Sequence, residues 1–190
     1  MTGNKTKNIN NPLVSNELQE KGKILRISGM AGVSLQFIAA FVAILSLIFT
    51  STGRGVADDT NPALGIGVTF AVIGLIAAGF GIFFSFRYTQ IGKQLLTPTS
   101  VAQPKKSDTV KLLRLGLLVG LIGILITLIG SGITASVLIA KTISQPPGTT
   151  LTVASEAVRA LDVFVIIANL NGLASHYIGS VTSIWLLYRL

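Results

Sequence analysis

The chain has no cysteine. Disulfides, thiolate metal sites and cysteine nucleophiles are thereby excluded, while the redox compartment stays open. Histidine occurs once, as His176, and Met30 is the only methionine besides the initiator. Metal sites usually draw on three or four ligands. No carboxylate lies within the apolar stretches described below, so a self-contained metal cage and a methionine-rich copper path are both excluded. A hard cation would need backbone carbonyls, side-chain amides, loop acids or a second subunit. No Walker loop is present, which rules out nucleotide hydrolysis of that type. His176 and Ser180 lie four residues apart on one helix with no orienting third group, too little for a hydrolase. The chain is expected not to be an enzyme and to carry no cofactor.

Charge is also scarce. Only 12% of the 190 residues are charged, about half the share of a soluble domain. Half of the residues are hydrophobic and the mean hydropathy is +0.71, so the expected solvent is lipid. The net charge of +8 does not indicate nucleic-acid binding. That would need cations clustered on a folded polar surface, whereas here they flank apolar runs, the membrane pattern. Residues 1–26 are polar and contain no apolar signal core, so the first apolar helix is expected to act as its own insertion signal.

Four stretches contain no Asp, Glu, Lys or Arg: 27–53, 60–86, 115–140 and 163–188. A spanning helix needs about 20 apolar residues, and no stretch alternates with the period of a β-barrel strand. The last two stretches would make about 39 Å of helix against a hydrocarbon core of ~30 Å, so tilt or overhang is expected. The fold expected is all-α integral membrane, a compact bundle of four transmembrane helices with both termini in the cytoplasm. A polar tail over 1–22 precedes a membrane domain over 23–190, with spans at about 27–50, 63–87, 112–140 and 160–188.

The orientation follows from the cations. Lys5, Lys7, Lys21, Lys23 and Arg26 precede the first span. Arg87, Lys93, Lys105, Lys106, Lys111 and Arg114 lie between the second and third. The other two loops carry Arg54 against Asp58 and Asp59, and Lys141 and Arg159 against Glu156 and Asp162. Positive charge thus marks one side as cytoplasmic. Tyr88, Trp185 and Tyr188 fall at that side as expected interfacial anchors.

Local signals mark the boundaries. Asn61-Pro62 discourages helix before the second span, and Pro98 and Pro104 bracket a polar linker. Ser107 and Asp108 offer an N-cap for the third helix. Residues 15–25 suggest a short interfacial helix, and 152–161 an amphipathic lead-in to the fourth span. Lys23-Ile24-Leu25-Arg26 echoes Lys111-Leu112-Leu113-Arg114, but any cytoplasmic end of a span attracts Lys and Arg, and the matches are too few to establish a repeat.

Each of the first three spans carries small or polar residues at alternating spacings of three and four. They are Gly29, Gly32, Gln36, Ala39, Ala43 and Ser46; then Gly67, Ala71, Gly74, Ala78, Gly81 and Ser85; then Gly116, Gly120, Gly123, Thr127, Gly130 and Thr134. Such spacing keeps one face aligned along a slightly supercoiled helix. In lipid it marks the contact face, where small residues let backbones approach. The fourth span differs: Asp162, Asn169, His176 and Ser183 recur every seven residues on one broad face, flanked by Gly172, Gly179 and Ser180. Intramembrane polar groups face a bundle or a wet cavity. The face is either a polar track with Asp162 at its outer mouth and Gln36 across the bundle, or a set of interhelical hydrogen bonds. Asp162 also has Arg159 three residues earlier as a local partner.

Several segments resemble a known family. They are Leu25-Arg26 with Gly29 and Gln36; Phe83-x-Ser85-Phe86-Arg87-Tyr88-Thr89; Ser107-Asp108-Thr109; and Leu112-Leu113-Arg114-Leu115-Gly116-Leu117-Leu118. The clearest is Ala160-Leu161-Asp162-Val163-Phe164-Val165, then Ala168-Asn169-x-Asn171, His176 and Ser183-x-Trp185-Leu186-Leu187. Together they are similar to a cyanobacterial and chloroplast family of four-span membrane proteins of formally unknown function. That family includes a chloroplast inner-envelope protein described both as an iron permease and as a protein-import translocon subunit. The chain departs from the family at Val33-Ser34-Leu35, where members tend to carry an aromatic residue. The resemblance implies transport across an inner membrane, with a metal ion such as iron as cargo, in a cyanobacterial plasma membrane or thylakoid. The alternative it implies is a structural or assembly subunit of a membrane complex. Partners expected are the lipid bilayer and either further copies of the chain or other membrane subunits, with no nucleic acid.

Overall fold

The computed structural model describes residues 12–56, 62–97, 104–144 and 160–190. They form four helices: α1 (Pro12–Val56), α2 (Pro62–Leu96), α3 (Lys106–Ser144) and α4 (Ala160–Arg189). Pro62 opens α2, where its missing N–H costs nothing and its fixed φ suits a helix. No proline interrupts any of the four after its first residue. Helices satisfy every backbone group internally, as a hydrocarbon surrounding demands. All four are long and apolar enough to cross a membrane, and the protein is an all-α multi-pass membrane protein.

Neighbours in sequence run antiparallel, which leaves α2 and α4 parallel to each other. These two touch each other and both flanking helices, whereas α1 and α3 make no contact among the described residues. The side chains are arranged for lipid. Phe37, Phe41, Ile76, Leu125 and Leu170 point outward, at least half exposed. The inward faces are the small-residue stripes, and every stripe residue named above is buried. With lipid outside, burying a large apolar side chain gains little, and close backbone approach supplies the attraction.

One end of the bundle is built differently. α1 begins at Pro12, so about 22 Å of helix precedes its apolar run. α2 continues to Leu96 and α3 starts at Lys106 on the same side. Here Leu25, Tyr88, Leu113 and Leu186 are wholly buried together, with Phe84, Ile91 and Leu95 packed on them. Where this end of the bundle meets water, apolar burial becomes stabilising.

Three local expectations change. Residues 15–25 are not a separate interfacial helix but the start of α1, because packing on α2, where Gly22 lies against Gly92 and Leu95, prolongs the span. Ser107 and Asp108 lie inside the first turn of α3 rather than capping it, since the Asp108 and Thr109 amides already donate to the Lys105 carbonyl at 3.1 and 3.2 Å. Asp108 still complements the helix dipole there. Tyr88 is no interfacial anchor: it is completely buried, with its hydroxyl 3.1 Å from Ser183 Oγ. Trp185 and Tyr188 are exposed, and the Arg189 guanidinium sits 4.7 Å over the Trp185 ring. Arg159 and residues 152–159 of the expected lead-in over 152–161 lie outside the described residues. Replacing Tyr88 by Phe removes one buried hydrogen bond and is expected to cost about 1 kcal/mol. Unfolding in mixed detergent micelles measures it, and an unchanged midpoint would assign the hydroxyl no stabilising role.

Candidate functional site

Asp162, Asn169, His176 and Ser183 all point into the bundle from α4, and each is at least 97% buried. Their seven-residue spacing sets successive levels about 10 Å apart. At the level nearest the start of α4, Lys141 Nζ of α3 lies 3.1 Å from Asp162 Oδ2, with both side chains buried. One level in, Asn169 Nδ2 donates to the Gly67 carbonyl of α2 at 3.1 Å and to the Val165 carbonyl of its own helix at 3.0 Å. At the next, His176 Nε2 lies 3.0 Å from the Gly74 carbonyl. A carbonyl only accepts, so Nε2 carries the proton, and in the neutral form of the ring the lone pair is then on Nδ1. At the last level Ser183 shares its hydrogen bond with Tyr88.

α3 closes the other side of these levels. Thr134 packs where a side chain on Gly67 would stand, and Thr127 does the same at Gly74. Both threonine hydroxyls donate back to their own helix, to Gly130 at 2.9 Å and Gly123 at 2.8 Å. The α3 glycines then lie against α4: Gly130 against Asn169 Oδ1, Gly123 against the His176 ring, Gly120 against Ser180 Oγ. A methyl group at any of the three would overlap those atoms. Gly116 sits beneath the Tyr88 hydroxyl near Ser183.

Gln36 takes another position. Its Nε2 donates to Ser85 Oγ of α2 at 2.6 Å and to the Gly32 carbonyl at 3.0 Å. Its side chain fills the space left by Gly81 and Gly179. The Ser175 hydroxyl donates to its backbone carbonyl at 3.4 Å. Gln36 thus joins α1, α2 and α4 at their common centre, rather than bonding to His176 or Asn169. Gly32 sits near Ser85 and Thr182.

The Lys141–Asp162 pair does not follow from local spacing, which offers Arg159 as the near partner of Asp162. A usable signal existed. Gly120, Thr127, Thr134 and Lys141 form their own seven-residue series on α3, and antiparallel packing sets its end opposite Asp162. Among the described residues no three of His, Asp and Glu gather as metal ligands.

Residues 15–190 match the family described as protein of unknown function (DUF3611). The chain belongs to this family. It is also 32% identical over 181 residues to Protein TIC 21, chloroplastic, of Arabidopsis thaliana, an alignment covering 92% of this chain. The chain spans 59% of that protein's length. No solved structure matches. The family has no assigned chemistry to import, so the buried levels of α4 stand on their own geometry.

Proposed function

We propose that this chain serves transport across an inner membrane, with a metal ion as cargo and iron as the species that family resemblance favours. The observation that supports it is the line of buried polar side chains on α4, set inside a bundle whose outside is apolar. Polar groups at membrane depth are expensive to bury and commonly mark substrate paths. The plastid relative adds support, since plastids and cyanobacteria share the membrane type that the resemblance implies. The reading sets both termini in the cytoplasm, in a cyanobacterial plasma membrane or thylakoid. It involves no chemical conversion, so the chain is proposed not to be an enzyme.

The test is uptake of ferrous iron into proteoliposomes containing the purified chain. Uptake is expected above that of protein-free vesicles, and its absence would end the transport reading for the isolated chain. Asn169→Leu and His176→Leu are each expected to abolish uptake while the protein still accumulates in the membrane. Unchanged uptake in both would reduce these side chains to helix connectors.

A second reading, a structural or assembly subunit of a membrane complex, is favoured by the glycine-mediated closure of α3 over α4. Tight static packing suits a scaffold. Co-purification in mild detergent tests it; recovery of only a lone monomer would argue against it.

A further inference from the structure

α4 is held unequally by α2 and α3. Toward α2 it uses the donors of Asn169 and His176, each bonded to a glycine carbonyl at 3.1 and 3.0 Å. Toward α3 the same side chains show their opposite poles. Asn169 Oδ1, His176 Nδ1 and Ser180 Oγ have no hydrogen-bond partner, although the three residues are only 0%, 1% and 4% exposed. Each abuts a glycine of α3, namely Gly130, Gly123 and Gly120 in turn. What a glycine can offer there is a Cα–H, a weak donor. The α2–α4 contact is therefore closed by N–H donors, and the middle of the α3–α4 contact by nothing stronger than C–H.

The unpartnered atoms also share a chemical sense. With the ring neutral, the amide oxygen of Asn169 and the bare nitrogen of His176 are lone-pair acceptors whose donors are already committed, to α2 and to the α4 backbone. The Ser180 hydroxyl can act either way. A partner that satisfied this line would bring N–H, O–H or positive charge. Acidic and basic residues are absent from 115–140 and 163–188, so the charges along this contact stand at its two ends, Lys141 and Asp162 at one and Arg114 and Arg189 at the other.

We propose that the bundle opens between α3 and α4, and that Asn169, His176 and Ser180 then bind small cationic or hydrogen-bond-donating solutes in preference to anions. The inference deepens the transport reading, but its test needs no cargo. α2 and α4 stay together as the fixed pair, and α3 moves away.

The absence of cysteine makes the test free of background. Ser180→Cys places a thiol in the α3–α4 contact. Ser175→Cys is the control, because Ser175 is equally buried but bonds to Gln36 in the α1–α4 contact. Both full-length variants are reconstituted and treated with two thiosulfonate reagents of similar size, one bearing an ammonium group and one a sulfonate. The expected result is modification of Ser180→Cys by the ammonium reagent, with little by the sulfonate, and none of Ser175→Cys until the protein is denatured. Equal rates for the two reagents at Ser180→Cys would overturn the preference for cations. Equal protection of both positions would overturn the opening. Should Ser180→Cys fail to accumulate, the unaltered protein still decides, because its single histidine gives one assignable imidazole. Nitrogen NMR in bilayers is expected to show His176 Nδ1 in contact with water protons, and a resonance isolated from water would reject the proposal.

Discussion

Replacing Lys141 by Met is expected to destabilise the folded bundle by roughly 3 kcal/mol, the scale seen when one member of a buried ion pair is removed. The substitution preserves length and apolar volume but withdraws the ammonium 3.1 Å from Asp162. The carboxylate is buried, so water replaces that ion partner poorly. The companion prediction separates charge from packing. Lys141→Met combined with Asp162→Leu removes both charges and is expected to recover most of the loss, since a buried pair replaced by apolar groups is often near neutral. Equilibrium unfolding in mixed micelles gives both values. A loss below about 0.5 kcal/mol for the single variant, the level of an exposed pair, would mean that the Lys141–Asp162 level is wet.

Gly123→Val is expected to be comparably severe, costing about 3 kcal/mol or preventing accumulation, at the upper end for overpacking. The new side chain would occupy the space of the His176 ring. The ring has little freedom to yield, because Nε2 is bonded to Gly74 on the far side. α3 would have to back away, parting Gly130 from Asn169 and Gly120 from Ser180 at the same time. Gly132→Val is the internal control, as nothing lies within 4 Å of that position. Its effect is expected to stay within about 0.5 kcal/mol, as at most surface sites. Shrinking the ring with His176→Ala should relieve part of the Gly123→Val defect. Equal losses at Gly123 and Gly132 would show that helix propensity, and not the approach of α3 to α4, sets the cost.

Much of the fold was legible because lipid imposes simple rules. Charge-free runs located the four helices, and the alternation of three and four located their inward faces. Every member of the α3 stripe from Gly116 to Thr134 is buried. What stayed hidden depended on contacts between helices that no single run encodes. The place of Tyr88 at the end of an apolar run suggests an interfacial anchor, yet the helices continue past the charge-free runs there and enclose it with Leu25, Leu113 and Leu186. Gln36 and the α4 series looked like one polar group, but they lie on different sides of α4. The tautomer of His176 could not be read at all, since the carbonyl that fixes it lies 102 positions away.

Asn169 reaches Gly67 and His176 reaches Gly74 across the same sequence separation. Two equally spaced side chains thus meet two equally spaced glycine carbonyls, like teeth on matched racks. Sliding α4 along α2 by a residue or two breaks both bonds and finds no substitute. The next alignments that pair His176 with a glycine carbonyl of that series, at Gly67 or Gly81, lie about 10 Å away. Small piston strokes between these two helices are therefore blocked. Whatever motion the bundle performs must be sideways or tilting, with α2 and α4 travelling as one body.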